Sequence, residues 1–79
     1  MYIVYIIQSG KNSHYYIGYT EDINKRLKYH NGNKNRSTKN KGPWKLIYSE
    51  RFGDNKLAWN REKQIKSCKG GEAFKKLVM

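Results

Sequence analysis

Two tyrosines, a glycine, an arginine, a histidine and a glutamate stand where they could act together on an anion. Tyr16 and Gly18 fall within "SHYYIGYT", residues 13–20, which reads as a short strand, and Tyr5 falls within "MYIVYII", the strand before it. The polar stretch "SGKNS" between them makes the two strands a hairpin. With the turn centred between Gly10 and Lys11, Tyr5 lies directly opposite Tyr16, on one face and roughly 5 Å away at the Cα atoms. Gly18 shares that face. A glycine inside a strand costs stability and often marks close approach by a ligand or another backbone. A cross-strand aromatic pair in the core explains the same two rings without chemistry.

Arg26 and His30 are spaced i, i+4, so on a helix they stack on one face beside the Ile23/Leu27 stripe. A guanidinium next to an imidazole suits a phosphate: one offers a two-pronged donor, the other passes a proton near neutral pH. Taken singly, each has a plainer explanation, as a solvated charge and as a partner for the helix C-terminus. Among the acids, Glu21 and Asp22 are explained by a helix start, Asp54 by a cap, Glu72 by the start of a last helix, and Glu50 by a strand end. Glu62, in "NREKQIK", sits mid-helix with Ala58 and Ile65 as neighbours, on the shoulder of the apolar stripe. The ordinary alternative is an exposed pair with Lys66, worth at most ~0.5 kcal/mol. One carboxylate suits Mg²⁺, which keeps most of its waters and leans on substrate phosphates. Zn²⁺ is poorly served, since no Cys/His cluster is present. Phosphate-cradling and dinucleotide-binding glycine loops are missing, as is the local signature of an activated hydroxyl nucleophile.

These residues need a scaffold. Residues 1–8 are apolar on both faces, so this strand is central and covered on both sides. Thr20 caps a helix running to about His30, with Glu21 and Asp22 in its first turn and "NG" at 31–32 as its stop. "NGNKNRSTKNKGP" is a polar surface loop ended by Pro43. "WKLIYSE" is a third strand, with Trp44, Leu46 and Tyr48 on one face. Asp54 caps a second helix that ends near Cys68, and "EAFKKLVM" is a short last helix whose Phe74, Leu77 and Val78 close the core. The order β-β-α-β-α-α predicts an α+β fold with a mainly antiparallel three-stranded sheet flanked by helices. A chain of 79 residues is expected to form one domain, residues 1–79.

Charge narrows the partners. Lys and Arg number 17 against 6 Asp and Glu, a net charge of +11, and no acid occurs from Ile23 to Ser49. Such a field attracts polyanions, and nucleic acid is the expected one. Lys25, Lys34, Arg36, Lys39, Lys41 and Lys45 are the candidate contacts to its backbone. An anionic membrane surface is the competitor, but no helix has the apolar face of an interfacial anchor. The apolar start is too short to span a bilayer and has neither a basic leader nor a cleavage pattern. A single cysteine, Cys68, allows no internal disulfide, which fits a reducing cytoplasm.

Together these residues resemble a known family. The chain is similar to a stand-alone GIY-YIG domain, of the small single-domain bacterial branch of that nuclease superfamily. Val4-Tyr5-Ile6 matches the first motif, with Val4 in the glycine's place, and Tyr16-Ile17-Gly18 the second. "IGYTEDINKRLKYH" matches the strand-to-helix segment, with Arg26 and His30, and "LAWNREKQIK" the helix bearing the metal-binding glutamate, at Glu62. The resemblance covers nearly the whole chain. It implies three antiparallel strands flanked by helices and hydrolysis of a phosphodiester, in DNA before RNA, with one Mg²⁺ or Mn²⁺ ion. Tyr5 or Tyr16 would position or deprotonate the attacking water with help from His30, Arg26 would stabilise charge on phosphorus, and Glu62 would hold the metal. A free phenol titrates near 10, and nearby cations are expected to lower it. Tyr15 and Tyr19 are left to packing. The alternative is a nucleic-acid-binding module that keeps the fold without turnover.

Overall fold

In a computed structural model, which describes residues 1–32, 42–69 and 71–78, alternating side chains of one central strand separate the protein into two apolar clusters. This strand, β1 (Tyr2–Ser9), lies between β2 (Tyr15–Thr20) and β3 (Trp44–Phe52) in an antiparallel sheet of order β2-β1-β3. The connecting helices are α1 (Ile23–Asn31), α2 (Asn55–Ser67) and α3 (Glu72–Val78). The α+β architecture matches the order expected from sequence.

Because side chains alternate along a strand, Val4 and Ile6 point one way and Tyr5 and Ile7 the other. Val4 and Ile6 pack with Ile17, Ala58, Ile65 and Phe74, so α2 and α3 cover that face. Tyr5 and Ile7 pack with Trp44, Tyr16, Ile23, Leu27 and Leu46, so α1 covers the opposite one. Leu77 and Val78 pack at the margin of the first cluster, and half-buried Cys68 is a free thiol.

The hairpin register differs from the expected one by two residues. Tyr5 is opposite Gly18, and Tyr16 is opposite Ile7. The connection is longer than the tight turn assumed: the Ser9 N–H donates to the His14 carbonyl, and Ser13 adopts a left-handed φ of 63°. The Ser9 hydroxyl accepts from the backbone N–H groups of Lys11 and Asn12, which stabilises this wider loop. A slip of two preserves the face of every side chain. Tyr5, Tyr16 and Gly18 therefore stay together.

Three further expectations are corrected. Asp22, not Thr20, caps α1, its carboxylate accepting from the Lys25 N–H at 3.1 Å. Thr20 instead turns the chain into the helix, its hydroxyl accepting from the Asp22 N–H. Tyr48 does not share a face with Trp44 and Leu46. A bulge pairs Ile6 with Tyr48 but Ile7 with Leu46, which sends Tyr48 to the α2 side of the sheet. The third strand also runs on to Phe52, so Glu50 lies within it.

Caps and clasps define the other ends. Asp54 caps α2 by accepting from the Lys56 N–H at 2.7 Å, as its sequence position implies. At the end of α1, the Asn31 amide grips the backbone of Trp44. Its oxygen accepts from the Trp44 N–H at 2.6 Å, and its nitrogen donates to the Trp44 carbonyl at 3.3 Å.

Candidate active site and its surroundings

Tyr5 and His30 form the centre. The central strand carries Tyr5 and the last turn of α1 carries His30, and the Tyr5 hydroxyl lies 2.9 Å from His30 Nε2. Tyr5 is 2% exposed and His30 1%. Tyr16 packs against both, with ring centroids 4.7 Å from His30 and 6.4 Å from Tyr5. It is half-buried, and so forms the open side of this group.

Gly18 is where the close approach occurs, but the approaching group is the protein's own. A Cβ at Gly18 would sit 2.8 Å from the Tyr5 hydroxyl and 3.0 Å from its Cζ. The patch of backbone expected to be bare is covered by Tyr5. Glycine is needed there so that the phenol can lie across β2 and reach His30.

Arg26 stands one turn before His30 on α1, half-buried, with its guanidinium 5.3 Å from the centre of the Tyr29 ring. Its charge acts on both central groups. Burial, then Arg26, push the His30 imidazole below its ordinary value, so the ring is neutral near pH 7. Tyr5 goes the other way from the expectation. Burial and the neighbouring Tyr16 raise its phenol above 10.0, and Arg26 offsets this without reversing it. The phenol is held as O–H, because desolvation of a sealed ring outweighs one nearby cation.

Glu62 projects from α2, between buried Ala58 and Ile65, and its side chain is 14% exposed. The shoulder position read from sequence is the position it occupies. Its charge adds a small share to the rise in the Tyr5 phenol. The pair with Lys66 also forms, at 2.7 Å, to a lysine that is half exposed. As a metal ligand Glu62 offers one hard oxygen donor, the pattern that suits Mg²⁺ completed by water and phosphate oxygens. No group of three or more His, Cys, Asp or Glu side chains that could hold a metal ion occurs among the described residues.

Of the basic residues expected to contact nucleic acid, Lys25 and Lys45 are exposed on α1 and β3. Lys34, Arg36, Lys39 and Lys41 lie outside the described residues. Tyr15 packs edge-on against Phe74, with centroids 5.1 Å apart, in agreement with its assignment to the core. Tyr19 packs beside Tyr2 but also lines a groove of about 600 Å³ with Glu21, Lys25, Arg26 and Tyr29. Residue types scattered over two segments gave no warning of this groove. Equally hidden was the Glu50 carboxylate, which accepts from Arg61 Nε at 2.8 Å and from the Tyr48 hydroxyl, bridging β3 to α2.

Comparison with known proteins agrees with the fold. The GIY-YIG catalytic domain matches residues 1–74. A UPF0213 protein of Clostridium perfringens is 40% identical over 67 residues, covering 84% of this chain and 71% of its own. A UPF0213 protein of Staphylococcus saprophyticus is 38% identical over 65 residues, covering 81% and 78%. The solution NMR structure of a UPF0213 protein from Bacillus halodurans superposes with a TM-score of 0.52 at 32% identity, covering 85% of this chain and 72% of that one. No helix among the described residues is long and apolar enough to cross a membrane.

Proposed function

Because the chain belongs to the GIY-YIG nuclease family, we propose that it is a divalent-metal-dependent endonuclease that hydrolyses phosphodiester bonds in DNA, with residues 1–79 acting as one domain. The observation that carries this reading is the buried hydrogen bond between Tyr5 and His30, at 2.9 Å, with Tyr16 packed on both rings.

The chemistry follows from the two opposed shifts. A raised phenol is a poor free base, but it has no need to ionise first. The Tyr5 oxygen accepts a proton from the attacking water as its own proton passes to the neutral Nε2 of His30. No isolated phenolate forms, and the imidazole ends the step as the cation. Tyr16, on the open side, orients the water, and the sealed setting of Tyr5 keeps bulk solvent out. The Arg26 guanidinium offers paired N–H donors to the phosphoryl oxygens as charge grows on them. Glu62 is the residue that would hold Mg²⁺ or Mn²⁺; when bound, such an ion supplies charge stabilisation at the leaving oxygen. Lys66 is no obstacle, since an i, i+4 pair on a helix contributes only about 0.3–0.5 kcal/mol.

Plasmid nicking with Mg²⁺ or Mn²⁺ tests this, comparing the parent with Glu62→Ala and Tyr5→Phe, with DNA binding measured alongside. The expected result is nicking by the parent and a loss of about 100-fold or more at unchanged affinity in each variant, from the lost proton relay in Tyr5→Phe and from the lost metal ligand in Glu62→Ala. Binding without cutting by all three would instead favour a non-catalytic module, in which the Glu62–Lys66 pair is a permanent surface contact. Binding should in either case weaken steeply with salt.

A further inference from the structure

The groove beside Arg26 has a composition that a phosphate site would not need. Its volume, about 600 Å³, falls within the range of about 300–1,000 Å³ common for small-molecule sites. Three phenol rings line it, from Tyr2, Tyr19 and Tyr29, and the first two stand 6.5 Å apart and tilted. Aromatic faces of this kind stack nucleobases without regard to sequence. Lys25 and Arg26 form a cationic side. Yet Glu21 and Asp22, two of only 6 acids in a chain of net charge +11, also line it. A carboxylate repels a phosphate but accepts hydrogen bonds from the exocyclic amine of a base. The Asp22 carboxylate is engaged in capping α1. Exposed Glu21 accepts from the Tyr2 hydroxyl of the same groove, but its two carboxylate oxygens keep further acceptor sites, and with these it can read such an edge.

Arg26 belongs both to the groove and to the electrostatics of Tyr5 and His30. We propose that the groove receives one unpaired, amino-bearing base of a single-stranded nucleic acid, stacked on the tyrosines and read by Glu21, while Arg26 holds the adjoining phosphate at the candidate active site. This deepens the nuclease reading and rests on its nucleic-acid partner. A base within a duplex has both faces covered by its stacked neighbours and cannot lie on the tyrosines, so unpaired strands are selected over duplex.

Equilibrium binding in EDTA, where metal-dependent cutting is abolished, tests the proposal separately from catalysis. Labelled oligo-dC, oligo-dT and a mixed-sequence strand alone and as a duplex are titrated at fixed salt. The expected result is about tenfold tighter binding of oligo-dC than of oligo-dT, and of the single strand than of its duplex. Glu21→Gln should abolish the dC/dT ratio while tightening or sparing overall affinity, and Tyr29→Leu should weaken every single strand about tenfold, the scale of one lost stacking contact. An rC/rU pair showing the same ratio supports the base-reading role and makes RNA a source of the ligand. Equal affinity for duplex and single strand, or a dC/dT ratio unmoved by Glu21→Gln, overturns the proposal. Glu21 is exposed, so that variant is expected to fold even if Tyr29→Leu does not. Failure to cut a labelled single strand in Mg²⁺ or Mn²⁺, with this ratio intact, would overturn the nuclease reading alone.

Discussion

The Tyr5 hydroxyl meets His30 Nε2 at 2.9 Å across 25 residues of sequence, in a setting almost closed to solvent. Each group explains the other's state. Burial keeps the phenol protonated and the imidazole neutral, and a neutral ring nitrogen is the natural acceptor for a phenolic proton.

Tyr5→Phe removes the hydroxyl that meets His30 Nε2 and so the buried hydrogen bond between them, which should destabilise the fold by about 1–3 kcal/mol. Urea unfolding at pH 7.5 measures this. The parent has 7 tyrosines, and on alkaline titration followed by phenolate absorbance Tyr5 should ionise last, well above 10, and only as the fold opens. The sign is clear: a phenol raised on folding contributes stability below its unfolded value of about 10 and loses it as pH climbs further. The Phe variant should lack this late step.

Gly18→Ala places a methyl group 2.8 Å from the Tyr5 hydroxyl. The ring tip is pinned by His30 and cannot swing aside, so the expected cost is about 1–3 kcal/mol. Combining the change with Tyr5→Leu, which vacates the space, should cost clearly less than the sum of the single variants. A strictly additive cycle would show that the two residues do not compete for that volume.

His30 should make stability depend on pH in the acid direction. Its imidazole is depressed on folding from about 6.5. Below that value the unfolded chain takes up a proton that the folded chain resists, so this contribution is intact above about 6.5 and is lost as pH falls through the folded value. The urea midpoint should drop between pH 7.5 and pH 5.5, and the drop should be smaller in His30→Gln. Carboxylates titrate alike in both proteins and cancel in the comparison.

Glu50→Ala should cost about 1 kcal/mol, because the carboxylate accepts from both Arg61 and Tyr48 across two elements. Glu72→Ala should cost almost nothing: its partner Lys75 is 3.9 Å away and both side chains are mostly exposed. Thermal melts of the two variants make the comparison directly.

Much of the site was legible from the chain because its pieces obey short-range periodicities. Period two put Tyr5 and Tyr16 on one face, and the i, i+4 spacing put Arg26 beside His30. A register error of two residues left that face intact. What escaped depended on tertiary detail. The Ser9 hydroxyl and the left-handed Ser13 widen the turn, and one bulge turns Tyr48 through the sheet. The direction of the Tyr5 shift escaped too, since it follows from burial depth, which the run of lysines and arginines around it does not reveal.

The two-point grip of Asn31 on Trp44 closes the scaffold at one corner. Helix end and strand start are tied to each other directly, side chain to backbone, across the stretch that joins them in sequence. That stretch, residues 33–41, carries Lys34, Arg36, Lys39 and Lys41. Its two flanking elements are therefore held at a fixed separation by Asn31 and Trp44, whatever cations the sequence places between them.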